Sequence, residues 1–203
     1  TAVGNSAGYY TTGSYNTFMG FGAGHGSITS APYSTGTNNV AVGKNAFYSF
    51  TSGDYNVAIG VAAGDAITSG PGNTAVGKSA LSAVNTGEYN VGIGYNAGDA
   101  ATTASGSVFI GSDAGGTVTT GNMNIAIGYD AMGGSPRYSA RNVAVGLGAG
   151  TYCGSENTAV GTYALNGVYA YSTTAAFVQS GSVGVGYRAG YNTTGSYNTF
   201  VGY

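Results

Sequence analysis

Residues able to do chemistry are few and scattered in this chain. There is one histidine, His25, and one cysteine, Cys153. No nucleophile–base–orienter arrangement can be built around either. His25 reads as a loop or solvent-facing histidine. Cys153 has no partner for an intrachain disulfide and reads as a small buried apolar residue. The acidic residues Asp54, Asp65, Glu88, Asp99, Asp113, Asp130 and Glu156 stand singly, so paired-carboxylate hydrolysis has no support. Asp65 and Asp99 are separated by a 34-residue interval, which suits one face of a repeat. The Gly-Gly-x-Gly-x-Asp calcium nonapeptide is absent, however, and solvated turn residues are the better reading. Gly-x-Gly strings such as Gly20-Phe21-Gly22 and Gly184-Val185-Gly186 lack the strand-and-helix context of a phosphate loop. The expectation is a protein without catalytic, metal or cofactor sites.

What must be positioned is therefore a repeat. Between Asn39 and Gly128 the phrase Asn/Ser-x-[Ala/Gly/Phe]-[Val/Ile]-Gly-x-x-Ala recurs at a constant 17-residue interval, closing at Gly43, Gly60, Gly77, Gly94, Gly111 and Gly128. Extended outward, the register also closes at Gly4, Gly20, Gly146, Gly161, Gly186 and Gly202. A fixed period of this size is the signature of stacked repeats. The composition agrees: 39 glycines, 18 tyrosines and only 6% charged residues, where about a quarter is usual. Such a chain favours strands between tight turns over disorder. Its net charge of −2 and five scattered cations give no footprint for nucleic acid. No apolar run is long enough for a membrane span.

The β-branched residues before each glycine predict a strand of about four residues, unstable unless stacked on its own copies. The glycine is expected at positive φ or against a neighbouring backbone, and the following Ala in a narrow core. Asn39, Asn56, Asn73, Asn90 and Asn124 recur at one position. They suit either ordinary turn chemistry, including a left-handed backbone, or a side-chain ladder along the axis. A second, 34-residue period lies over the first: Tyr, or Met at Met123, precedes this Asn in alternate copies, and Gly alternates with Phe47, Leu81, Met132 and Leu165 after the Ala, with a slip at Gly115. One turn is accordingly a 17-residue coil in two flavours, the preferred reading, or a 34-residue coil with two faces. The register spans 1–203 as a single array, with insertions near 25–37 and 166–180. Residues 1 and 203 both fall beside repeat phrases, which reads as a segment of a longer protein.

The phrase resembles the head repeats of YadA-type trimeric autotransporter adhesins. It is closer still to the Asn-Thr-Ala-Val-Gly-x-x-Ala arrays of bacteriophage tail fibres. The resemblance implies an all-β fold, a left-handed parallel β-roll or β-solenoid, with three chains side by side in an extracellular fibre. The 17-residue unit is longer than the adhesin repeat, so its turns should differ. A thin Ala/Val/Ile core independently argues for self-association, and stripes of Tyr55, Tyr89, Tyr95, Tyr129 and Tyr187 would be buried by it.

Three functions are compatible with this pattern. A structural segment of a virion tail fibre involved in host attachment comes first, and a bacterial trimeric adhesin head second. The third, an ice-binding solenoid, needs a flat row of Thr, but the position three before the glycine mixes Thr with Val and Ile. The expected partners are two further copies of the chain and a cell-surface glycan or protein receptor. If a glycan is bound, Tyr169, Tyr171 and Tyr33 in the insertions are the candidates, since aromatic rings stack on sugar faces.

Overall fold

A computed structural model describes residues 1–27, 33–134, 138–167 and 179–203. The chain forms one twelve-stranded parallel sheet in which each strand pairs with the next in sequence. The strands are β1 (Ala2–Val3), β2 (Thr17–Met19), β3 (Val40–Val42), β4 (Val57–Ile59), β5 (Thr74–Val76) and β6 (Val91–Ile93). They continue as β7 (Val108–Ile110), β8 (Ile125–Ile127), β9 (Val143–Val145), β10 (Thr158–Val160), β11 (Val183–Val185) and β12 (Thr199–Val201). Val57 pairs with Thr74, Ala58 with Ala75 and Ile59 with Val76, so one coil of this β-solenoid is one 17-residue repeat. The strands are one residue shorter than the phrase predicts, because its Asn lies outside the ladder of paired residues. The longer intervals β2–β3 and β10–β11 keep the same parallel register across the two insertions.

The closing glycine is needed for two reasons at once. Its φ is +130° at Gly77 and +135° at Gly60, a region that side chains avoid. A Cβ on Gly60 would also lie 2.5 Å from the carbonyl oxygen of Gly77 in the next coil. These glycines form a column of backbone stacked too closely for any side chain. The chain then turns back, and the Ala that follows donates its N–H to the glycine carbonyl, as Ala80 does to Gly77 at 3.4 Å.

Only the middle residue of each strand points inward: Ala41, Ala58, Ala75, Phe109, Ala126, Ala144 and Ala159 are all buried. Facing them are the turn alanines, among them Ala46, Ala63, Ala80 and Ala97, and the larger Phe47, Leu81, Met132 and Leu165. These four have left-handed backbones, and so do the glycines that alternate with them. The alternation conserves volume. A Cβ on Gly98 would lie 2.8 Å from Leu81 Cδ2, and one on Gly190 2.7 Å from Leu165 Cδ2. Large residues thus extend into adjoining coils where glycine leaves room, and the 34-residue period records that exchange.

Candidate interaction surface

The Asn column is the most regular polar feature of the coil. Asn39, Asn56, Asn73, Asn90 and Asn124 are buried. The Oδ1 of Asn39 accepts the backbone N–H of Asn56 at 2.8 Å, and Asn56 Oδ1 accepts that of Asn73 at 2.8 Å. The Nδ2 groups donate to carbonyls of the following coil, as Asn73 does to Gly87 and Asn90 to Ala104. Where Asn is replaced, Ser107 and Ser182 continue the contacts through their hydroxyls. The column runs from Asn16 to Asn198 without a gap. It satisfies backbone groups that a short strand leaves over, and its polar atoms are engaged within the shaft. Left-handed geometry falls one residue earlier, at Asn38, Tyr55, Gly72, Tyr89, Gly106 and Met123.

That earlier position carries Tyr55 and Tyr89, which are 66% and 65% exposed. Tyr95, Tyr129 and Tyr187 form a second, separate row directly after the closing glycine and are also exposed. Lys78 sits over the Tyr95 ring at 5.3 Å, and Arg188 over Tyr187 at 5.3 Å. Two rows of tyrosine therefore flank the strand, one before it and one after it.

Between them lies a surface that the repeat phrase already encoded. With the middle residue turned inward, the first and third residues of each strand face out. The third-position row reads Met19, Val42, Ile59, Val76, Ile93, Ile110, Ile127, Val145, Val160, Val185 and Val201. Ile59 is 41% and Ile93 39% exposed. Among the described residues no strand contains a charged side chain. Reading the whole β-branched run as core hid this face. Period-two alternation was the signal that could have revealed it.

Tyr33 is exposed and stacks on Tyr10 with ring centroids 5.9 Å apart. Tyr169 and Tyr171 lie outside the described residues. Beside Tyr10, the rings of Tyr9, His25 and Tyr48 occupy equivalent positions in three successive coils. His25 stacks on Tyr48 at 4.5 Å and on Tyr9 at 6.1 Å. The lone histidine is thus a member of an aromatic stack.

Among the described residues no three His, Cys, Asp or Glu side chains come together as a metal site. Burial, and secondarily the Asp113 carboxylate, raises the pKa of Asp99 and of Asp130. The Asp113 carboxylate accepts hydrogen bonds from Asn96 Nδ2 at 3.2 Å and Ser112 Oγ at 2.8 Å. Cys153 is buried, its thiol donating to the Leu165 carbonyl at 2.6 Å, and burial pushes its pKa up to about 12. A thiol held protonated is a poor nucleophile. Comparison with protein-family models, with curated proteins and with solved structures finds no match to this chain.

Proposed function

We infer that this chain is a non-catalytic structural segment of an extracellular homotrimeric fibre, of the kind that virion tail fibres use for host attachment. The observation that carries the reading is the aliphatic outer face of the sheet. Eleven steps of about 4.8 Å make it roughly 53 Å long, and the strand with its flanking residues is about 17 Å wide. The product, on the order of 900 Å², matches one partner's share of a standard protein interface. Copies of the same chain are the natural cover, since their faces are equally flat, uncharged and of equal length. The likeness of the repeat to trimeric fibres sets the number at three. Tyr95, Tyr129 and Tyr187, adjoining the third-position row, widen the seam.

Light scattering tests the assembly. The expected mass is three times the 19.9 kDa chain. Paired Ile59→Asp and Ile93→Asp changes should return single chains that keep their strand signal in circular dichroism. A wild-type chain that is monomeric at micromolar concentration would remove the trimer, and with it the fibre reading.

A further inference from the structure

The row of residues before the Asn column has a period of its own. Tyr15, Tyr55, Tyr89 and Met123 stand in alternate coils, before β2, β4, β6 and β8. All four share one left-handed backbone conformation, with φ between 55° and 61°, so their side chains leave the shaft in the same direction. All four are exposed. The coils between them carry Asn38, Gly72 and Gly106. A Cβ on Gly72 would lie 2.6 Å from Tyr89 Cδ1 and 2.8 Å from Cε1. The Tyr89 ring therefore lies down over the bare Gly72 backbone, and Tyr197 lies over Gly181 in the same way. At Tyr89 and Tyr197 the glycine of the preceding coil is what lets the ring settle along the shaft, whereas Asn38 holds that place before Tyr55. Successive side chains in the row are two coils, about 10 Å, apart.

Polar groups accompany the rings at the same interval. Asp54 precedes Tyr55 and Glu88 precedes Tyr89, with Ser14 and Asn122 at the corresponding places beside Tyr15 and Met123. Each of the three rings thus has a hydroxyl or carboxylate on the residue before it. Asp54 Oδ1 already accepts from Thr37, which leaves its second oxygen and the Glu88 carboxylate for a ligand. Aromatic faces attract the C–H faces of a pyranose, and carboxylates accept its hydroxyl protons.

We propose that this row is a binding track for an extended β-1,4-linked hexopyranose polysaccharide, taking one ring for every second sugar. In such a chain each sugar is turned over relative to the last, so like faces recur every two units, a distance close to two coils. An α-1,4-linked chain coils away from a straight row and cannot keep the match. The track lies in the turn before each strand, outside the aliphatic face. Binding along it serves the attachment role proposed above without depending on trimer formation.

Calorimetric titration with cello-oligosaccharides and chito-oligosaccharides of two to six units tests the track, with maltohexaose as the α-linked control. Affinity should rise with length to six units for at least one β-linked series, and maltohexaose should not bind. Tyr55→Ala and Tyr89→Ala should each weaken the hexasaccharide about tenfold, whereas Tyr55→Phe and Tyr89→Phe should keep most of the affinity. Light scattering on the same variants should give the wild-type mass, which separates loss of the track from loss of assembly. The absence of binding by both β-linked series would overturn the proposal. So would equal binding of maltohexaose, or affinity indifferent to both Tyr→Ala changes.

Discussion

The ring of Phe109 fills the space that a side chain on Gly98 would need, since a Cβ there would lie 2.5 Å from Phe109 Cδ2. A Cβ on Gly115, one coil further on, would collide with the other edge of the same ring. Phe109 takes the inward strand position that Ala or Gly holds in neighbouring coils, and the turn at Gly115, where the alternation would place a large residue, gives it up. Phe109→Ala should therefore cost about 3–5 kcal/mol. Adding Gly115→Leu should recover part of that loss, because Leu81 and Leu165 already occupy the equivalent position with φ of 50° and 46°. Gly115→Leu alone should destabilise by overpacking. Thermal midpoints of the three variants check the compensation.

The Asn column gives a local test. Asn73→Ala removes the acceptor for the Asn90 N–H and the donor to the Gly87 carbonyl, both buried. A buried group left unpaired costs about 1–3 kcal/mol. Asn73→Ser should cost less, since a hydroxyl already serves this position at Ser107. Amide hydrogen exchange should show the effect first at Asn90.

How legible this molecule was depended on which residues repeat together. The Gly, Asn and Ala registers revealed the parallel stack and the 17-residue coil, because each is tied to backbone geometry that few residue types satisfy. The alternation of Gly with Phe47, Leu81 or Met132 was visible as a pattern, yet its cause was not. Complementary volume is a relation between coils, and a sequence read along one line does not show which residues adjoin. The slip at Gly115 was visible too, but its cause was legible only once Phe109 was seen beside it. The aliphatic face escaped for a different reason: Val and Ile signal strand propensity whether they face inward or outward.

Acidity should act through Asp99 and Asp130. Asp99 and Asp130 have pKa values above the usual carboxylate range, chiefly from burial and secondarily from Asp113. For an acid whose folded pKa is raised, the unfolded chain gives up its proton first as pH rises. These two groups therefore reduce stability above the raised folded pKa and cease to do so as pH falls below the ordinary value of 3.8. Asp113→Asn should bring both titrations down, read by carboxyl-carbon NMR. It should also raise stability at pH 7 more than at pH 3.

Cys153 offers a probe of global opening. With its thiol buried and its pKa raised to about 12, alkylation by iodoacetamide at pH 8 should be negligible in the folded chain and rapid in denaturant. Quick labelling under native conditions would place Cys153 in a locally open coil.

The exchange of volume between adjoining coils also sets how such a shaft can lengthen. Strand pairing alone would allow growth or loss of any whole number of 17-residue units, like a ruler graduated at every coil. Gly98 yielding to Leu81, and Gly72 yielding to Tyr89, tie neighbouring coils into unlike couples. Removing one coil brings like against like, leaving a void where two glycines meet and a clash where two large residues do. Removing two adjacent coils together restores the couples wherever the alternation holds, as it does from Phe47 to Gly98. The true graduation of this ruler is the coil pair, so shafts of this design should differ in length by steps of about 10 Å.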